Sequence, residues 1–181
     1  MNCKEIETSS NRIIHVYDDL FGYAERYNFY LFYSNSLFNI TGNDSASSSY
    51  RKQIFSRYSY VDLETSGMLE TEGFKFISKK YDLPSREIHQ IRVNCSNAAE
   101  DCSFHTDCKN GLTFLYYSNM VWDNEWAGCT LFSSEDLQEV EYCSFFKPGR
   151  VIVFDGSIPH MILPPNMYAK ENRLSFVIQY K

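Results

Sequence analysis

The sequence predicts a mainly β protein, a double-stranded β-helix (jelly roll) core with N-terminal helices packed on one face. Three observations carry this. After Pro84 the chain divides into seven or eight short apolar segments separated by turn signals such as Lys109-Asn110-Gly111, Lys147-Pro148-Gly149 and Asp155-Gly156. Aromatic residues are abundant, with 14 Tyr, 14 Phe and 2 Trp, and such side chains suit a pleated, half-buried surface. Before Pro84 the apolar residues recur at helical rather than strand spacing.

Taken in order, residues 1–11 are polar and expected to fray. Residues 12–17 read as a short strand in which His15 is a partly buried structural histidine. Asp18-Asp19 is a natural helix entry, and Leu20, Phe21, Tyr23, Ala24 and Tyr27 give a helical stripe that runs to about Tyr33. Residues 34–49 are loop-like, and the serine-rich run 45–49 is expected to be a solvated surface loop. Residues 53–61 have no clear pattern. Residues 63–81 read as a second helix, weakened by Gly67 and Gly73. The strands then follow at 88–95, 103–107, 112–118, 129–132, 140–146, 150–154, 160–163 and 174–180. No linker or internal repeat divides the chain, so residues 1–181 are expected to form one domain, with 1–85 as helical and loop support and 86–181 as the jelly-roll core.

The formal net charge of −6 argues against nucleic acid or an acidic membrane as partner. No apolar run approaches the length of a membrane span, and the N-terminus has no signal-like apolar core. The six cysteines include no CxxC pair, so reduced thiols and a cytoplasmic location are expected.

The chemistry concentrates at Ser103-Phe104-His105-Thr106-Asp107-Cys108. His105 and Asp107 are two apart, so an extended strand places both on one face. His160, delivered by the turn-strand-turn Pro148–Gly156, is the candidate third ligand. Two histidines and one carboxylate, with open positions opposite, suit a non-haem Fe(II) oxygenase centre. A zinc site using Cys102 or Cys108 beside His105 and Asp107 is the rival, but ligands so closely spaced leave no open position, and such sites normally pair two distant clusters. Arg173 opens the last strand. A guanidinium entering an apolar interior needs an anion, which is either an internal Asp or Glu or a bound carboxylate, and the hydroxyl of Tyr116 or Tyr117 stands ready to share it.

From about Ile88 onward the chain resembles the Fe(II)- and 2-oxoglutarate-dependent dioxygenases, and within them the prolyl 4-hydroxylase branch. The resemblance rests on His105-Thr106-Asp107, Leu112–Trp122, the stretch Trp126-Ala127-Gly128-Cys129-Thr130-Leu131-Phe132, Pro148–Gly156 before Pro159-His160, and Arg173. It implies iron on His105, Asp107 and His160. It implies the distal (C5) carboxylate of 2-oxoglutarate on Arg173 with help from Tyr117, and Thr130 lining the cosubstrate pocket. Dioxygen is the second cosubstrate, ascorbate is expected to support activity, and succinate and CO2 are the implied co-products. Two departures stand out. Ala127-Gly128-Cys129-Thr130 replaces the family's Gly-Gly-x-Thr stretch and lacks the acidic residue after it. Where many relatives place a tyrosine near the cosubstrate, this chain has Asn94, Cys95 and Asn97, so Asn97 or Asn94 is the candidate for the C1 end.

The implied reaction is hydroxylation of a C–H bond, with a prolyl residue of a protein or peptide as the expected substrate. The alternatives are a small molecule, another amino-acid side chain, or a jelly-roll binding module without catalysis. Trp122, Trp126 and Phe104 are candidate pocket walls, although core packing alone explains such residues. Cys95, Cys102 and Cys108 are read as small buried hydrophobes. Whether the protein is a monomer or a dimer is left open.

Overall fold

The computed structural model describes residues 2–41, 53–98, 100 and 102–181. The serine-rich run 45–49 lies outside them. Among the described residues, eleven strands form two antiparallel sheets. In chain order they are β1 (Asn2–Glu7), β2 (Ile13–Asp18), β3 (Asn39–Thr41), β4 (Gln53–Arg57), β5 (Ile88–Ser96), β6 (Leu112–Tyr117), β7 (Thr130–Ser133), β8 (Val140–Ser144), β9 (Val151–Asp155), β10 (His160–Ile162) and β11 (Arg173–Tyr180). The major sheet has the order β1-β2-β9-β6-β11-β5-β4-β3, and the minor sheet β10-β7-β8. Two facing antiparallel sheets with crossing connections are consistent with the jelly roll expected from the sequence.

Among the described residues three α-helices accompany the strands: α1 (Tyr23–Ser34), α2 (Tyr60–Thr65) and α3 (Glu72–Lys80). They do not form an N-terminal helical block, because the chain opens on the β1–β2 hairpin and the first helix begins only at Tyr23. The first residues, expected to fray, are held instead by a full antiparallel register from Asn2↔Asp18 to Glu7↔Ile13. Their charged character fits an edge strand, which discourages further pairing. Residues 53–61, without pattern in the sequence, supply β4 and the start of α2. The single helix expected over 63–81 is divided by a turn at Gly67, which sits at φ +74°, a left-handed conformation in which glycine meets no Cβ penalty. The second piece restarts at Thr71, whose hydroxyl accepts from the Phe74 N–H as an N-cap.

Alternation on the central strands separates two cores. Leu174, Phe176 and Ile178 of β11 face outward and pack with Phe114, Tyr116 and the helices, including Phe29 and Tyr33 of α1 and Ile77 of α3. Val177 faces inward with Leu115 and Tyr117 of β6, Ile152 and Phe154 of β9, and Phe132 of β7. Every residue of β11 is buried, as expected for a strand covered on both faces. Each fully buried aromatic contributes about 2–3 kcal/mol of transfer free energy. The helices thus cover the outer face of the major sheet, and the inner face is left to the site.

Candidate metal centre and anion anchor

His105 does not lie on a regular strand, as the sequence suggested, but in an isolated bridge with His160. The His105 N–H donates to the His160 carbonyl at 3.0 Å, and the His160 N–H returns the bond at 2.9 Å. Two residues on, the Asp107 N–H donates to the Gly156 carbonyl at 2.7 Å. The segment carrying the first two candidate ligands is thereby stitched to the turn that delivers the third. Gly156 is needed there, since a Cβ would come within 2.8 Å of the Cys108 carbonyl oxygen.

The candidate ligand atoms of His105, Asp107 and His160 all lie within 4.8 Å of one another. His105 Nε2 is 3.9 Å from Asp107 Oδ1, and His160 Nε2 is 3.6 Å from Asp107 Oδ2. Each imidazole directs its Nδ1 to a backbone carbonyl, His105 to Ser103 at 3.2 Å and His160 to Ile158 at 2.9 Å. Those bonds fix the tautomer that leaves Nε2 as the electron-pair donor. Phe154 packs edge-on against His160 at 4.8 Å, which further holds the ring.

Burial, followed by the neighbouring His160, pushes the His105 imidazole below its ordinary pKa and keeps it neutral. Burial opposes ionisation of Asp107, but the two imidazoles, the Thr113 hydroxyl and Arg92 outweigh it and hold the carboxyl below its usual range. A neutral His105 and an ionised Asp107 are in the protonation states that a metal requires of such ligands. The donor set therefore fits a divalent transition metal. Neither Cys102 nor Cys108 joins the cluster among the described residues. Cys102 is exposed rather than a buried hydrophobe, and none of the six cysteines, all among the described residues, is in a disulfide.

Arg173 is completely buried. Its Nε donates to the Gly128 carbonyl at 2.8 Å, Nη1 to Ser175 Oγ at 2.9 Å, and Nη2 to Thr130 Oγ1 at 3.1 Å. Tyr117 and Phe146 present their ring faces, each centroid 5.0 Å from Cζ. No carboxylate is within ion-pair distance of it among the described residues, although the charge of Glu100 favours the guanidinium from farther away. Three acceptors serve five N–H donors, and burial depresses the guanidinium pKa against the opposing influence of Tyr117 and Glu100, so the group has donors to spare for a further anion.

Thr130 shows where that anion would be met. Its Oγ1 accepts from Tyr117 OH at 2.8 Å as well as from Arg173. With both lone pairs engaged, the hydroxyl proton must be donated elsewhere. Of the two tyrosines left open by the sequence, Tyr117 faces the site and Tyr116 the outer core. Asn94 is buried on β5 opposite Ser175 of β11, whereas Asn97 lies beyond the end of that strand. Trp122 packs at 4.4 Å against Phe146, the ring beside Arg173, and edge-on with Trp126 at 5.4 Å.

The sequence reading missed Thr113, Ser175 and the Gly128 carbonyl. Thr113 donates to Asp107 Oδ2 at 2.6 Å. The signal was available: Thr113, Leu115 and Tyr117 share one face of β6, so placing Tyr117 in the site places Thr113 on the same wall.

No known family profile matches the chain, and neither does any curated protein sequence. Solved structures do match. A Pseudomonas putida prolyl-4-hydroxylase superposes with a TM-score of 0.66 at 12% identity, covering 93% of this chain and 91% of that one. A Trichoplax adhaerens prolyl hydroxylase in complex with a hypoxia inducible factor oxygen degradation domain peptide gives 0.58 at 16% identity, covering 92% and 82%. The epimerase SnoN in complex with Fe3+, alpha ketoglutarate and nogalamycin RO gives 0.61 at 12% identity, covering 92% and 78%. The chain thus has the fold of the 2-oxoglutarate/Fe(II) oxygenases, prolyl hydroxylases among them.

Proposed function

We propose that this protein is an Fe(II)- and 2-oxoglutarate-dependent dioxygenase that hydroxylates a C–H bond, with a prolyl residue of a protein or peptide as substrate. The observation that carries the reading is the pairing of the His105–Asp107–His160 cluster with a buried Arg173 that has no carboxylate within ion-pair distance among the described residues and keeps N–H donors to spare. The two lie on one wall: Phe132 faces His160 and Thr130 faces Ile162 along β7. Two residues of strand separate these positions, about 7 Å. A five-carbon dicarboxylate, four C–C bonds of about 1.5 Å each, suits that interval.

Each residue has a role in this reading. His105, Asp107 and His160 hold the metal through three donors and leave the remaining positions to cosubstrate and dioxygen. Arg173 takes the distal carboxylate with a charge-assisted fork, and Thr130 adds its spare proton. Tyr117 acts through Thr130, holding its oxygen in place. Asn94 is better placed than Asn97 for the proximal end, because it faces inward beside Ser175. Trp122 and Phe146 exclude water behind the guanidinium. The bound metal with 2-oxoglutarate supplies the oxidative chemistry, releasing succinate and CO2. Residues 86–181 carry this machinery within a single domain, and cysteines outside any disulfide suit a cytoplasmic setting in which ascorbate supports turnover.

A second reading, hydroxylation of a small molecule, draws on the likeness to SnoN, whose complex holds nogalamycin RO. The test is mass spectrometry of peptide and metabolite pools incubated with iron-loaded protein. A gain of one oxygen on a prolyl peptide that requires 2-oxoglutarate supports the first reading. The same gain confined to metabolites supports the second, and no gain with no succinate formed contradicts both.

A further inference from the structure

Thr113 sits at the inner face of β6, opposite Phe154 of β9 and Gln179 of β11, and is almost wholly buried. Its hydroxyl donates to Asp107 Oδ2 at 2.6 Å, a short distance for a bond to a carboxylate and characteristic of a charge-assisted one. β-branching restricts the Thr113 side chain to few rotamers, so the hydroxyl is held in position before any metal arrives.

The carboxylate is thereby made asymmetric. Oδ2 is engaged by Thr113 and lies 3.6 Å from His160 Nε2, while Oδ1 lies 3.9 Å from His105 Nε2. A carboxylate with both oxygens equally available can chelate a metal and take up a position needed by other ligands. One oxygen tied to a buried donor restricts rotation of the carboxylate and limits that change of mode.

We propose that Thr113 is a positioning residue for the metal centre, whose hydroxyl holds Asp107 Oδ2 so that the carboxylate keeps one fixed orientation toward His105 and His160. This rests on the metal-binding reading of His105, Asp107 and His160. Its removal leaves a buried carboxylate oxygen unsatisfied and the ligand free to rotate, and loss of such an outer partner typically weakens metal affinity by about 10–100-fold.

The test uses the full chain with Co(II) and Fe(II) as probes, measuring affinity by chelator competition and geometry from the visible spectrum of the Co(II) form. Thr113→Val, nearly isosteric but without the hydroxyl, is expected to bind about 10–100-fold more weakly and to give an altered Co(II) spectrum. Thr113→Ser restores the donor and is expected to match wild type in both. If Thr113→Val fails to fold, Thr113→Ala against Thr113→Ser makes the same comparison. Wild-type affinity and spectrum in the hydroxyl-free variant overturn the proposal, as does an equal loss in the serine variant. Failure of the wild type itself to bind either metal, or binding unaffected by His105→Ala, removes the metal-binding reading and this inference with it.

Discussion

His105 and His160 are bonded to each other through their backbones, each N–H donating to the other's carbonyl, at 3.0 and 2.9 Å. Residues 55 positions apart are thus locked in register by two hydrogen bonds, with ring centroids 4.4 Å apart. The pairing orders both imidazoles in advance, so little conformational entropy remains to be lost when a metal binds. Replacing either histidine with alanine leaves those backbone bonds in place. His105→Ala and His160→Ala are therefore expected to retain the fold while losing metal affinity by at least about 100-fold, and His15→Ala to bind as wild type. Calorimetric titration with Co(II) alongside circular dichroism checks this.

Arg173→Ala is expected to raise the Kd for 2-oxoglutarate by about thirtyfold or more, as expected when a buried charged partner is removed. Metal affinity should stay within about threefold of wild type, since no candidate ligand touches the guanidinium. Arg173→Lys recovers only part of the loss, because an ammonium cannot reproduce the fork to Gly128, Ser175 and Thr130. Parallel loss of metal and cosubstrate affinity would assign Arg173 a purely structural role.

Ala127 adopts φ 61° and ψ −131°, a region natural to glycine, at the position where the resembling family has the first glycine of its pair. Ala127→Gly is expected to stabilise the protein by about 1 kcal/mol, the relief of backbone strain exceeding the added flexibility of the unfolded chain. Gly67→Ala is the converse. Its Cβ would meet nothing within 4 Å, yet φ +74° should cost about 1 kcal/mol. Urea unfolding of both variants gives the signs.

Asp18 supplies the pH dependence. It accepts from Arg150 Nε at 2.8 Å and Nη2 at 3.0 Å, and from Lys147 Nζ at 3.0 Å. Burial raises its pKa, but the Arg150 and Lys147 bonds outweigh this and hold the carboxyl below its ordinary range. The folded value lies below the unfolded one, so the stabilisation is complete above the unfolded pKa of about 3.9 and is lost as pH falls through the folded value. Asp18→Asn is expected to cost about 1–2 kcal/mol near pH 7, less than for a fully buried pair. The difference from wild type should shrink towards about pH 3. An equal difference at both pH values would mean that Asp18 acts through packing.

The parts of this molecule legible in its sequence are those whose chemistry is costly. A histidine and an aspartate two apart, a later histidine after a tight turn, and an arginine heading an apolar strand all violate bland core patterning, and so they stand out. Tyr117 could not be separated from Tyr116 by composition; strand parity separates them once the register is known. Thr113 does not stand out by residue type, since threonine is an ordinary strand residue; strand parity with Tyr117 puts it on the same wall, but its role exists only through Asp107, a neighbour in space. β1 was hidden because an edge strand needs no apolar face of its own. The helix over 63–81 was overextended because Gly67 is tolerable in a helix but here takes the left-handed turn that starts a new piece. In each case the missing information was tertiary, a pairing or a turn that single-sequence periodicity does not encode.

The central claim is that one wall of the fold holds Fe(II) on His105, Asp107 and His160 and 2-oxoglutarate between that metal and Arg173. Its most direct test is anaerobic titration of Fe(II)-loaded protein with 2-oxoglutarate, following the visible charge-transfer absorption that arises when a 2-oxo acid chelates Fe(II). The account predicts a saturable band in the wild type, no band in His105→Ala, and a band in Arg173→Ala that saturates only at much higher 2-oxoglutarate. No band in the folded, iron-loaded wild type, or one unaffected by His105→Ala, would contradict it.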